Sequence, residues 1–176
     1  MYPFFRMAYQ KFKYRNAPPL PVDGVHISRH MCWPLDLDIW RELNNGRTLT
    51  IYDLGRIPLV RRAGLTAATR ANGWRITMAG VSARYRRRVV VFDRFEMRSA
   101  MIGHDGRFIY LQQSMWKRNE ALSSAVYRVA VVGKNGIVPT AEVCAAMGVP
   151  GWHPAMPGWV NKWAEAEKAR TWPPEV

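Results

Sequence analysis

A chain of 176 residues that is 48% hydrophobic, with eight Trp, seven Tyr and six Phe, can fill the core of one domain, which excludes a disordered chain. Its 26 Lys and Arg against 13 acidic residues give a formal charge of +13, so anionic partners are expected: nucleic acid, an acidic membrane face or a phosphate-bearing cofactor. Two cysteines, Cys32 and Cys144, are too few for a disulfide framework and lack the C-x-x-C pairing of a zinc site, as expected of a reduced intracellular protein.

Residues 1–22 read as an arm in which Arg6, Lys11, Lys13 and Arg15 are interleaved with Tyr2, Phe4, Phe5, Met7, Tyr9, Phe12 and Tyr14, without an acidic residue. No apolar run in it suits a signal peptide or a membrane span, so a cytoplasmic protein is expected. Rings and cations together suit the headgroup layer of an anionic membrane, at its inner face; a helix or arm packed on the domain or on a second subunit is the plainer account of them. The prolines of Ala17–Pro21 favour an extended connector, and the folded domain is placed at residues 23–149.

Val25, Ile27, Met31 and Trp33 bracket a first strand, followed by a loop over Pro34–Asp38. Asn44-Asn45-Gly46 offers capping chemistry for a helix over about 45–63, with Pro58 expected to kink it or to start a second helix. The period then changes to two from Trp74 to Tyr85, a strand. Val89–Phe92 leads into a strand through Phe95, Met97 and Ala100, and Gly103-His104-Asp105-Gly106 turns it into another over Phe108–Trp116. Leu122–Val132 makes one more, completing a meander of about four strands. A short helix is expected at Thr140, and residues 150–176 read as a Pro/Trp-rich extension with a further short helix over Trp159–Ala169. One helix among antiparallel strands must bury its apolar face, and a curved sheet wrapped round it does so. The fold class is therefore α+β: a hot-dog fold, with five or six antiparallel strands round one long central helix. Such sheets commonly pair, so a homodimer or higher homo-oligomer is expected.

The run from Asp36 through Asp38, Arg41, Glu42, Asn44, Asn45 and Gly46 to Arg47, followed by Asp53-Leu54-Gly55-Arg56, resembles the hot-dog acyl-CoA thioesterases related to 4-hydroxybenzoyl-CoA thioesterase. Within them it is most similar to the subgroup whose helix starts Asn-Asn-x-Arg. The resemblance spans about residues 25–146. It implies hydrolysis of a fatty or aromatic acyl thioester, with coenzyme A as part of the substrate and no separate cofactor. It also implies that Asp38, at the family's spacing before the Asn pair, is nucleophile or general base. A carboxylate can attack a thioester or orient water, and free N–H groups near Asn45, Gly46 and Arg47 can hold the oxyanion. Many relatives have Gly-His where this chain has Arg41-Glu42, so Glu42 is a second candidate base.

Plainer readings stand beside these. Asp36 and Asp38 also read as loop carboxylates, Glu42 as a partner of Arg41 or Arg47, Asn44 and Asn45 as helix caps, and Asp53 with Arg56 as an i,i+3 pair. Tyr85, Arg86, Arg87 and Arg88 are candidates for the phosphate end of coenzyme A, or a solvated strand end. The expected partner is an acyl-CoA or an acyl-carrier-protein thioester; the alternative is a non-catalytic protein that binds acyl chains or lipid at a membrane. Nucleic acid is not expected, because no RNP signature, zinc finger or helix-turn-helix accompanies the charge. The four His are too scattered for a metal site.

Overall fold

The computed structural model describes residues 2–174. Helix α1 (Phe4–Lys13) is followed by β1 (His26–Met31), a 3-10 turn (Pro34–Asp36), α2 (Asn45–Arg62) and α3 (Leu65–Ala71). Then come β2 (Arg75–Tyr85), β3 (Arg94–His104), β4 (Ile109–Lys117), β5 (Glu120–Gly133), β6 (Gly136–Ile137), α4 (Thr140–Ala146) and α5 (Gly158–Ala169). The antiparallel sheet runs β1-β3-β4-β5-β2, with β6 also on β5. This is the hot-dog arrangement: the central helix α2 lies on one face of the sheet.

The sequence pattern explains that placement. Along β3, buried Phe95, Met97, Ser99 and Met101 alternate with the less buried Glu96, Arg98 and Ala100, and the three apolar ones share the main core with Ile51, Tyr52, Leu54 and Leu59 of α2. A polar network stitches the helix to three strands. The Tyr52 hydroxyl pairs with Ser123 Oγ on β5 at 2.9 Å, while Gln113 Nε2 on β4 donates to the Tyr52 carbonyl and to Ser99 Oγ on β3. Strand β5 is buried on both faces because α5 covers the outer one, packing Val160 and Ala164 on Phe108, Tyr110, Val126 and Ala130.

Three expectations change. No second helix starts at Pro58: α2 continues through it, with Pro58 buried like Ile51, Leu54 and Leu59, and packing of that face outweighs the lost backbone bond. The break falls at Gly64, whose φ of 87° lies in the left-handed region, and α3 follows. Val89–Phe92 is a loop, because Phe92 turns to φ 63° and its N–H bonds the Cys32 carbonyl. Finally, only β3-β4-β5 form a meander; β2 pairs with β5, at the far edge from β1.

Candidate functional site

The chain between β1 and α2 is held by a buried carboxylate. Asp36 accepts hydrogen bonds from the Trp33 N–H, from Arg6 of α1 at 2.6 Å and from Arg47 of α2 at 2.6 Å. Burial by itself raises its pKa, but the Trp33 N–H, Arg47 and Arg6 together outweigh that and hold it below the usual carboxylate range. Asp36 is thus a clamp between helices and loop. Arg47, a candidate substrate ligand, is directed to this clamp.

Beyond it, residues 38–42 close on themselves. The Asp38 N–H donates to the Glu42 carbonyl at 2.8 Å, and Asp38 Oδ1 accepts from the N–H of Trp40 at 2.8 Å and of Glu42 at 3.4 Å. Arg41 completes the turn at φ 57°, a conformation that suits glycine. Leu37 and Leu43 pair across the neck, and the Leu43 N–H bonds the Val89 carbonyl, which draws in the chain after β2.

That contact makes a cavity of about 410 Å³ lined by Asp38, Trp40, Glu42, Leu43, Asn45, Thr48, Tyr85, Arg86, Arg87, Arg88, Val89 and Ser123. It brings together two segments some forty residues apart that sequence reasoning had singled out separately. Glu42 pairs with Arg88 at 2.8 Å rather than with Arg41 or Arg47, and Arg87 pairs with Glu120. Among the described residues, no ion pair includes Asp38. The Tyr85 hydroxyl donates to the Asn45 carbonyl at 3.4 Å, so strand end and helix start share a wall.

Asn44 caps α2, its Oδ1 accepting the Arg47 N–H at 3.1 Å. Asn44, Gly46 and Arg47 are not in the cavity lining; Gly46 lies exposed at the second helical position. The N–H groups of Asn45 and Gly46 belong to the first turn, where helix geometry provides no internal acceptor. Asp53 and Arg56 form the i,i+3 pair, and the Arg56 guanidinium stacks 4.0 Å over Tyr127. Trp40, Thr48 and Ser123 were not among the candidates. Thr48 and Ser123 carry no motif and enter the wall only because α2 crosses β5. Trp40 gave a signal, a tryptophan inside the Asp-rich loop.

Among the described residues no group of three His, Cys, Asp or Glu is placed to hold a metal, and no helix is long and apolar enough to cross a membrane.

Residues 32–147 match the model of the thioesterase-like superfamily. The chain belongs to that superfamily. The match encloses Asp36 with its partner Arg47, the 38–42 turn, the central helix and the strands β2 to β5. Protein THEM6 of Xenopus laevis is 33% identical over 104 residues, 58% of this chain and 50% of that protein, so the chain spans about half the length of this relative. Among solved structures, a probable thioesterase, YbaW from Escherichia coli, superposes with a TM-score of 0.64 at 16% identity, over 69% of this chain and 96% of that one. Slr0204, a 1,4-dihydroxy-2-naphthoyl-CoA thioesterase from Synechocystis, gives 0.58 at 9% identity, over 69% and 96%. Both share the hot-dog fold.

Proposed function

We propose that this superfamily member hydrolyses an acyl-CoA thioester in the cavity beside α2, and that it falls in the Asn-Asn-x-Arg subgroup. The observation that carries the reading is that one opening holds the Asp38 carboxylate, the first turn of α2 at Asn45 and the cations of Arg86–Arg88. Those are the three groups a thioester of a phosphorylated carrier needs.

Asp38 takes a proton from water as the water oxygen attacks the carbonyl carbon. The oxyanion that forms is held by N–H groups of the first turn of α2, at the positive end of the helix dipole. Collapse expels the thiolate, which recovers the proton from Asp38, leaving a free acid and coenzyme A thiol. Direct attack by Asp38, through a mixed anhydride that water opens, uses the same atoms. Glu42, already bonded to Arg88, holds the cation run against the Asp38 turn. Arg87 and Arg88 also border a second hollow with Lys117 and Arg118, so the cationic path continues outward where the carrier's phosphates belong. A fatty or aromatic acyl group is the expected cargo.

A homodimer fits this reading. Strand β2 is an edge with β5 as its neighbour, its Met78, Val81 and Tyr85 are exposed, and a groove of about 350 Å³ separates it from α2.

Thiol release from acyl-CoAs of graded length and from aromatic acyl-CoAs tests the proposal. Asp38→Asn is expected to lower kcat by roughly 10²–10⁴-fold with the fold intact. Undiminished turnover in that variant, with loss in Glu42→Gln, moves the base to Glu42. Turnover of acyl-carrier-protein thioesters alone replaces the carrier, and no turnover on either carrier defeats the proposal.

A further inference from the structure

Helix α1 is fixed to the domain by its inner face and leaves an aromatic face bare. Met7 and Gln10 are buried, Arg6 reaches Asp36, and the Tyr2 hydroxyl donates to Asp53 at 3.0 Å. Opposite them, Phe5, Tyr9 and Phe12 follow one another at i, i+4 and i+7, a single stripe of the helix. Phe5 is 95% exposed, Tyr9 58% and Phe12 62%. The stripe continues past Phe4 into an apolar hollow of about 300 Å³ bordered by Phe5, Trp33 and Leu35, and Leu35 itself is 85% exposed. So large a contiguous apolar surface is rare on a protein that meets only water.

The charges around the stripe say what covers it. Lys11 and Lys13 flank it on either side, with the Lys13 ammonium 6.0 Å from the Tyr9 ring, and the Arg15 guanidinium lies 3.8 Å over Phe12. Helix α1 holds no acidic residue, and the nearest buried carboxylate, Asp36, is already neutralised by two arginines. A second copy of this face would bring like charges together on a chain of formal charge +13. An anionic lipid surface offers both what the rings need and what the cations need.

We propose that α1 docks the protein on an anionic lipid bilayer, lying in the plane of the headgroups with Phe5, Tyr9 and Phe12 inserted and Lys11, Lys13 and Arg15 against lipid phosphates. Leu35 extends the contact from the loop that leads to Asp38. This surface is independent of the hydrolytic reading, and its test needs no turnover.

The full chain is sedimented with phosphatidylcholine vesicles with and without phosphatidylglycerol, at low and high salt. Binding that requires phosphatidylglycerol and weakens with salt is expected. The variant Phe5→Ser/Tyr9→Ser/Phe12→Ser is expected to lose at least about tenfold in affinity, because each ring lost removes apolar area from the interface. Lys11→Glu/Lys13→Glu should lose as much. Arg70→Glu/Lys134→Glu, the same charge change at exposed positions elsewhere, should keep most of the binding. Because the three rings are exposed, circular dichroism and thermal melting should match the wild type. Full binding by the triple-Ser variant, equal loss in the Arg70/Lys134 variant, or no binding by wild type overturns the proposal. So does a change of oligomeric state in the triple-Ser variant without vesicle binding, which makes the stripe a contact between copies.

Discussion

Two residues in the loop before α2 show how single side chains set this site. Asp36 is 1% exposed at its side chain and is the shared acceptor of Arg6 and Arg47. Asp36→Asn removes a charge that two partly buried arginines face, and leaving them uncompensated is expected to cost about 3 kcal/mol, read from the shift in urea midpoint. The folded-state pKa of Asp36 lies below its unfolded value, so its contribution is complete above about pH 4 and is lost as the pH falls further. Arg41 takes φ 57°, and the left-handed region strains any residue with a Cβ. Arg41→Gly is therefore expected to raise stability by up to about 1 kcal/mol, measured by thermal melting; a loss of stability means that the Arg41 side chain matters more than its backbone. The neighbouring Glu42 turns its carboxylate to Arg88 as partner.

At the scale of elements, the site depends on how closely α2 approaches β3. A Cβ added at Gly55 lies 2.5 Å from Met97 Sδ and 2.8 Å from Ser99 Oγ, both in fully buried residues. The bare glycine lets the helix sit low enough for Tyr52 to reach Ser123 and for Thr48 to enter the cavity wall. Gly55→Val is expected to cost about 1–3 kcal/mol through overpacking, despite the poor helix propensity of glycine, and chemical denaturation measures it. A variant as stable as wild type means that α2 can lift without loss. The hinge between α2 and α3 at Gly64 has open space round it, so crowding there is not what ends the helix.

For the molecule as a whole, the buried histidines of β1 couple stability to pH. His26 is held neutral by burial, with Arg62 at 3.0 Å and Lys13 adding to the effect, and its pKa is lowered to about 4. His30, bonded to Ser28 Oγ at 2.7 Å, is lowered to about 3 by burial and then by Arg6, Lys13 and His26. Their folded values lie below the unfolded value near 6.5, so the unfolded chain binds more protons and stability falls as the pH drops from about 6.5 toward 4. Urea midpoints across that range should decline, and His26→Asn should flatten the decline. An unchanged slope in that variant assigns the acid sensitivity to other groups.

Local periodicity and turn chemistry were enough to place the strands near 26–31, 75–85, 94–104, 109–117 and 120–133, the long helix after Asn44 and both short C-terminal helices, because those signals lie within a few residues of each other. The same is true of the two candidate segments, the Asp-rich loop and the Arg86–Arg88 run, each marked by its own composition. Pairings between distant parts were not legible. That β2 crosses to β5 and not to β3, that the chain after β2 bonds Leu43, and that Glu42 meets Arg88 all follow from the sheet's curvature over α2, which no window of sequence contains. Asp36 and Asp38 read alike as neighbouring loop carboxylates. Only the tertiary structure separates them, burying one between arginines that arrive from two helices and leaving the other on the wall of a cavity.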